Sequence, residues 1–167
     1  MSGLSQRKVA ASLGLQETSC ISRWEKGEYL PGIEYSVDCV CMDGETIACI
    51  PRQRVETSMG VSVESIVEKN DEIIDISKKI IKALNLSYNV NIQFKYSVDG
   101  KPKLLEINPR VSGSLISNFG AGVNMLELSL KLAYGLPLPS IDIKWGTKMM
   151  RYWSQLYVYD QNIYKNR

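Results

Sequence analysis

Hydrophobic and polar residues alternate along two parts of the chain in a way that is typical of β-hairpins. In each part, two alternating segments are separated by an Asp-Gly pair, which favours a tight turn. The pattern therefore predicts two hairpins, with strands at 35–42 and 45–50 around Asp43-Gly44, and at 89–97 and 101–108 around Asp99-Gly100.

A helical period replaces this alternation between the hairpins and again after the second one. Segment 62–87 is predicted to be one amphipathic helix, because large apolar residues recur on one face at helical spacing. The stripe consists of Ile66, Ile73, Ile80 and Leu84, with Ile74 and Ile81 beside it. A second helix is predicted at about 122–134 and a late strand at 147–159. Segment 52–63 has few apolar anchors and is predicted to be a loop.

Hairpins that alternate with covering helices predict an α+β fold, in which an antiparallel sheet carries its helices on one face. Segment 1–27 instead predicts a pair of short helices, the first capped by Ser5 and ended by Gly14, the second ended by Gly27. The expected division is an amino-terminal helical segment at 1–27, a main domain at 28–160 and a frayed tail at 161–167.

The composition of the chain excludes some classes of catalytic and metal-binding site. Hydrophobic residues make up 44% of the 167 residues, which predicts a packed globular core. The chain has no histidine, and this excludes Ser-His-Asp and Cys-His catalysis. None of the four cysteines belongs to a CxxC pair, so small buried hydrophobes are expected rather than zinc ligands or disulfides. Neither a membrane span nor the apolar core of a signal peptide is visible, so the expected location is the cytoplasm.

The second hairpin carries the most specific polar pattern. Glu106 and Asn108 point to one face of their strand, because side chains two residues apart share a face. A simple hairpin register brings Gln93 close to Glu106, although the sequence does not fix that register. Carboxylate and amide oxygens are ligands that Mg²⁺ accepts. The alternative interpretation is a solvated polar face on a half-covered sheet.

Several segments resemble the ATP-grasp superfamily of carboxylate-amine ligases, particularly its carbamoyl-phosphate-synthase-like and amino-acid-ligase-like members. The similar segments are EYLPGIEYSVDCVCMDG, NIQFKYSVDGKPKLLEINPRVSGS and GAGVNMLELSLKLAYGLPLP, within about residues 28–140. The resemblance implies that Glu106 and Asn108 ligate Mg²⁺ (or Mn²⁺) ions that bridge the phosphates of ATP, and that Gln93 is an outer ligand. It also implies that Glu34 bonds the ribose, and that Glu28, Tyr29 and Leu30 lie beside adenine.

In such enzymes a carboxylate takes the γ-phosphate and an amine attacks the resulting acyl phosphate. Arg110 would face the γ-phosphate or the acyl phosphate, and Arg52 or Arg54 would face the phosphates or the acid substrate. The acid and amine substrates stay open. A complete ATP-grasp enzyme also has an upstream lobe with a lysine and a glycine-rich loop, and segment 1–27 is too short to encode it. We therefore expect a carboxyl-terminal lobe that needs a separate protein to supply the missing lobe, or that is inactive alone.

Segment 1–27 resembles another family, the helix-turn-helix of phage-repressor or Cro-type regulators. The similar sequence is GLSQRKVAASLGLQETSCISRWEKGEYLPG, and the chain's excess positive charge of +2 lies within segment 1–27. The resemblance implies that Gln6 contacts DNA phosphate, and that base edges face Gln16, Glu17, Thr18 and Ser19. The competing hypothesis is therefore a DNA-binding regulator with the ATP-grasp lobe as sensor or oligomerisation domain. The alternative is that the helix pair merely packs on the sheet or stays partly unfolded.

The regulator hypothesis makes a prediction of its own. The protein should bind DNA in a sequence-selective and salt-sensitive manner, and Gln16→Ala or Thr18→Ala should abolish that binding, because base-edge contacts carry the selectivity. Gel-shift or fluorescence titrations at several salt concentrations measure this. Binding that both variants leave unchanged would contradict the assignment of the recognition helix.

Overall fold

A computed structural model describes residues 30–152 together with residues 154 and 157. It contains a six-stranded antiparallel sheet in the order β5-β4-β1-β2-β3-β6. The strands are β1 (Glu34–Met42), β2 (Glu45–Ser58), β3 (Val61–Val67), β4 (Tyr88–Tyr96), β5 (Pro102–Asn108) and β6 (Lys148–Met150), and the helices are α1 (Asp71–Ala83), α2 (Ile116–Gly120) and α3 (Met125–Ala133). The predicted α+β class and antiparallel sheet are confirmed.

One face of the sheet packs against α1 and is called here the α1 face. Alternate residues of the central strand β1, such as Val37 and Cys39, lie in one apolar cluster with Ile73, Ile80 and Ile81 of α1. All five side chains are at most 1% exposed. Asn70 starts the helix, because its Oδ1 accepts a hydrogen bond from the backbone N–H of Ile73 at 3.1 Å. The α1 face is thus a continuous hydrophobic core.

The opposite face packs against α2 and α3 and is called here the α3 face. Val40 of β1 and Ile50 of β2 are fully buried there, in one cluster with Met125 and Leu128 of α3. The helices therefore lie on both faces of the sheet, whereas the sequence pattern indicated one face. The reason is that Ser36 and Asp38 give β1 the alternation of a half-exposed strand, yet both residues are buried.

The first hairpin is longer than predicted. Segment 52–63, expected to be a loop, belongs instead to strands β2 and β3, which turn at Met59 and Gly60 with positive φ angles of 50° and 80°. The helix predicted at 62–87 is correct only for Asp71–Ala83, because Ile66 lies in β3 opposite Gln53. Polar side chains in this part of β2 and β3 conceal the strand period, and the isoleucines of β3 and α1 happen to share helical spacing.

The second hairpin is confirmed as β4 and β5, and the helix at about 122–134 as α3. Helix α2 has no counterpart among the elements predicted from the sequence, and the late strand is limited to Lys148–Met150 among the described residues. The amino-terminal helix pair and the tail at 161–167 lie outside the described residues, so the predicted domain boundaries stay predictions. In the part of the chain that the structure describes, no helix is long and apolar enough to cross a membrane.

The segment before β1 is held against β4 through a close backbone contact at Gly32. The N–H of Gly32 donates to the carbonyl of Tyr96 at 3.0 Å, and the N–H of Tyr96 donates to the carbonyl of Ile33 at 2.9 Å. A Cβ atom on Gly32 would lie 2.6 Å from that Tyr96 carbonyl oxygen. Only glycine fits here without displacing the backbone of β4.

We therefore predict that Gly32→Ala lowers the free energy of unfolding by about 1–3 kcal/mol, because the new methyl group overlaps backbone rather than a flexible side chain. Urea unfolding followed by circular dichroism measures the change. Gly113→Ala is the matched control, since nothing lies within 4 Å of its added Cβ atom. Equal stability of the two variants would contradict the close approach at Gly32.

Candidate nucleotide and metal site

The metal ligands predicted from the sequence come together on the second hairpin. Gln93 is the register partner of Glu106, and Asn91 is the partner of Asn108. Both Gln93 Nε2 and Asn108 Nδ2 donate to Oε1 of Glu106, at 2.5 Å and 2.7 Å. The structure therefore has the register that the sequence left open. It places the amides of Gln93 and Asn108 within hydrogen-bonding distance of the Glu106 carboxylate.

The chemistry of this cluster fits a hard divalent cation. One carboxylate and two amide groups offer oxygen ligands and no sulfur or nitrogen ligand, which is the type of set that suits Mg²⁺. Among the described residues there is no group of three or more His, Cys, Asp or Glu side chains that could hold a metal. Glu106 therefore supplies the only full negative charge of the hairpin cluster, and further ligands would have to come from water or a phosphate.

Arg54 connects this cluster to Glu34. Its Nη1 forms an ion pair with Glu34 Oε1 and also donates to Gln93 Oε1 at 3.3 Å. Its Nη2 donates to the carbonyl of Gly60 at 2.7 Å, and its Nε to Ser62 Oγ at 3.2 Å. Arg54 thus joins the start of β1, the centre of β4 and the tip of the β2–β3 hairpin.

Arg52 occupies a different position from the one expected of a phosphate ligand. It is 0% exposed, and its Nε and Nη2 donate to Asp38 Oδ2 at 3.0 Å and 2.7 Å. Nη2 also reaches Ser36 Oγ at 3.3 Å and Ser112 Oγ at 2.8 Å. The Nη1 atom is buried without a hydrogen-bond partner among the described residues. This geometry favours a role for Arg52 in positioning the site rather than in contacting substrate.

Asp38 is the centre of the polar network, and sequence reasoning missed it. Besides Arg52, its carboxylate accepts hydrogen bonds from Asn91 at 3.0 Å, from Ser112 at 3.1 Å and from Asn118 at 2.7 Å. These partners come from β4, from the loop after β5 and from α2. A signal for Asp38 was present in the sequence, because a carboxylate in the middle of an apolar strand requires buried partners.

Arg110 lies in the loop after β5, beside a cleft of about 220 Å³. Its side chain is exposed, and Nη1 donates to the carbonyl of Val111 at 3.0 Å. Arg54, Gln93, Asn91, Ser36 and Ser62 line the same cleft, together with Ser112, Gly113 and Ser114. Two guanidinium groups and several hydroxyls therefore surround a small polar space, and Gln93 in its wall donates to Glu106.

The loop that carries Arg110 is held in place at several points. Ser112 binds the Asp38–Arg52 pair, and the carbonyl of Gly113 accepts a hydrogen bond from Arg151 Nη2 at 2.6 Å. In the following α2, the hydroxyls of Ser117 and of Ser65 on β3 lie 3.0 Å apart. The cleft therefore has a rigid wall.

The remaining predicted site residues divide into two groups. Leu30 is 7% exposed, at the start of the described chain. Glu28 and Tyr29, predicted beside adenine, lie outside the described residues, as do the predicted DNA contacts Gln6, Gln16, Glu17, Thr18 and Ser19. Their roles stay predictions.

Comparison with known proteins identifies the chain as a member of the ATP-grasp class. A sequence profile of the family "ATP-grasp in the biosynthetic pathway with Ter operon" matches residues 27–152, and the chain belongs to that family. The carbamoyl phosphate synthase large chain of Caldanaerobacter subterraneus subsp. tengcongensis is 33% identical over 130 residues, which are 71% of this chain and 12% of that protein. Carnosine synthase 1 of Gallus gallus is 29% identical over 127 residues, 68% of this chain and 14% of that protein.

Solved structures agree on the fold. The ATPase subunit of phosphoribosylaminoimidazole carboxylase from Aquifex aeolicus superimposes with a TM-score of 0.60 and 21% identity, over 70% of this chain and 37% of that one. An N5-carboxyaminoimidazole ribonucleotide synthetase in complex with ADP gives a TM-score of 0.57 and 18% identity, over 69% and 33% of the two chains. This chain thus spans about a third of those structures, and a smaller share of the relatives named above.

The buried ion pair generates a prediction about stability. Asp38→Asn should lower the free energy of unfolding by about 3–5 kcal/mol, because it leaves the charge of Arg52 buried without a counter-charge. Denaturant unfolding measures the loss. Asp71→Asn is the matched control, since Asp71 is largely exposed and 3.9 Å from Lys69, so its loss should change stability by less than about 0.5 kcal/mol. A loss at Asp38 no larger than that of the control would show that the network contributes little.

Proposed function

We propose that this chain holds Mg-ATP as the carboxyl-terminal lobe of an ATP-grasp carboxylate-amine ligase. The observation that carries the proposal is the cluster of Glu106, Asn108 and Gln93 on adjacent strands, with Glu106 accepting a hydrogen bond from each amide. Family membership supports ATP as the ligand. The hairpin residues supply oxygen ligands at one end of the site, and Glu34 supplies hydrogen-bond acceptors at the other.

The proposed direction of the nucleotide follows the order of the strands. Glu34 begins β1, whereas Glu106 and Asn108 lie in β5, on the other side of β4. We place the ribose hydroxyls at Glu34 and the phosphates at the hairpin cluster. Arg54 contacts both Glu34 and Gln93, so it keeps the two ends of the site at a fixed spacing. Leu30 and the residues before it belong beside adenine.

The proposed chemistry is positioning and charge neutralisation. A divalent cation, when bound, would neutralise negative charge on the phosphates during phosphoryl transfer. Arg110 lies on the exposed loop next to the cleft, where its guanidinium is placed to face the γ-phosphate or the acyl phosphate. Arg52 holds Ser112 and Asp38 in place beneath that loop. In this scheme a carboxylate takes the phosphoryl group and an amine then displaces phosphate.

Turnover in this scheme also needs a second lobe with a phosphate-binding lysine and a glycine-rich loop. The relatives are far longer than this chain, which spans 12% of the carbamoyl phosphate synthase large chain. We propose that this lobe comes from outside the described residues, supplied by a partner protein or by further sequence of the same polypeptide. The described lobe alone is expected to bind nucleotide without catalysing ligation.

The test is calorimetric titration of the protein with Mg-ATP. The parent should bind, and Glu106→Ala and Asn108→Ala should each lower the affinity by at least about tenfold, because each removes a ligand that the cation requires. Glu45→Ala is the matched control, since Glu45 is an exposed carboxylate at the start of β2, and it should bind like the parent. Circular dichroism and urea unfolding check that the variants fold.

Two results would contradict the proposal. If the parent binds Mg-ATP and the Glu106 and Asn108 variants bind equally well, the hairpin cluster is not the metal site. If the folded parent shows no heat of binding at millimolar Mg-ATP, this lobe does not hold the nucleotide by itself.

A further inference from the structure

Two cysteine side chains face each other across the central strands of the sheet. Cys39 of β1 and Cys49 of β2 are register partners, and their Sγ atoms are 3.6 Å apart. Their exposures are 1% and 8%, and both are free thiols. The pair lies in the apolar cluster of the α1 face, on the other side of the sheet from Asp38 and Arg52.

A bound metal does not explain this pair. Among the described residues, no group of three or more His, Cys, Asp or Glu side chains could hold a metal, so a structural metal has too few ligands at this cysteine pair. Cys41 belongs to the same apolar cluster, but its thiol donates to the carbonyl of Tyr88 at 3.4 Å rather than to another sulfur. Cys39 and Cys49 are therefore distinguished by direct sulfur-to-sulfur contact.

We propose that Cys39 and Cys49 form an oxidation site at which a peroxide closes a disulfide across strands β1 and β2. One thiol, as thiolate, attacks a peroxide oxygen and becomes a sulfenic acid, while the O–O bond breaks and the leaving oxygen departs as water or an alcohol. The second thiol then attacks that sulfur and releases water. Two thiols lose two electrons and two protons in total, and the peroxide is reduced.

The backbone geometry allows this bond. Directly opposed residues of an antiparallel pair have Cα atoms about 4.5–5.5 Å apart, within the roughly 4.4–6.8 Å range of disulfides. The sulfur atoms must approach from 3.6 Å to about 2.0 Å, which rotation of the two side chains can provide. A small peroxide such as hydrogen peroxide also reaches a buried pair more readily than a bulky disulfide reagent does.

The same surroundings make the reaction slow at neutral pH. The hydrogen bond to Cys49 and burial raise the pKa of the Cys39 thiol well above its ordinary value. Since the thiolate is the nucleophile, oxidation is expected to accelerate as the pH rises. The pair therefore stays reduced unless the peroxide is sustained. When the disulfide closes, it cross-links the two strands that carry Asp38 and Arg52 on the site face.

The experiment is peptide mapping of the folded protein after exposure to hydrogen peroxide and blocking of the remaining thiols. A tryptic peptide contains both cysteines, because no lysine or arginine separates them, and it should lose the mass of two hydrogen atoms. Cleavage after Asp43 or Glu45 should then leave two peptides joined until a reductant is added. The variant with Cys20→Ala and Cys41→Ala retains only the proposed pair and should give the same cross-link.

Cys49→Ala should abolish the cross-link. If that variant fails to fold, the peptide maps of the parent and of the double variant still show whether Cys39 and Cys49 are joined. A cross-link that survives Cys49→Ala, or that disappears with Cys41→Ala, would assign the oxidation to other thiols. Recovery of only reduced cysteine or sulfinic acid at Cys39 and Cys49, in folded protein, would overturn the proposal.

Discussion

The buried ion pair between Asp38 and Arg52 is the constraint on which the rest of the site depends. Both charges lie in the middle of the sheet, with side-chain exposures of 3% and 0%. Removing such charges from water is unfavourable unless most of their hydrogen-bonding groups find partners. The structure meets that requirement by bringing Asn91, Ser112 and Asn118 to the same carboxylate. The pair therefore dictates where β4, the loop after β5 and α2 must lie.

The α3 face is polar where the buried ion pair lies, and further polar side chains surround the pair there. The polar side chains of this region differ in exposure. Arg52 is fully buried, the side chain of Arg54 is 11% exposed, and Glu106 and Arg110 are exposed. Gln93 accepts from Arg54 and donates to Glu106, so the exposed carboxylate of the hairpin cluster is supported by two less exposed side chains. Rigid support of this kind limits the reorganisation needed when a charged ligand arrives. The proposed nucleotide site is thus the accessible edge of a buried polar network.

The sequence predicted the parts of the fold that strong local patterns specify. The Asp-Gly turns located both hairpins, and the polar alternation at Glu106 and Asn108 located the hairpin cluster that these residues form with Gln93. The sequence did not predict the second half of β2 or strand β3, because partly exposed residues such as Arg54 and Glu64 carry no apolar period. Asp38 was also missed, because its place in an apolar strand signals buried partners without saying which distant residues supply them. The sequence did not show that helices cover both faces, because polar residues in β1 such as Ser36 and Asp38 are typical of an exposed face.

Paramagnetic broadening by manganese tests the central claim most directly, namely that the edge of this network holds a metal-bound nucleotide. In a ¹H–¹⁵N spectrum of the protein, Mn-ATP should broaden the side-chain amide signals of Gln93 and Asn108 first, with Asn91 next. The amides of Asn124 and of residues around the separate cleft of about 350 Å³ that Phe119 and Pro139 line should stay sharp. Broadening centred on that second cleft, or uniform broadening without a centre, would contradict the account.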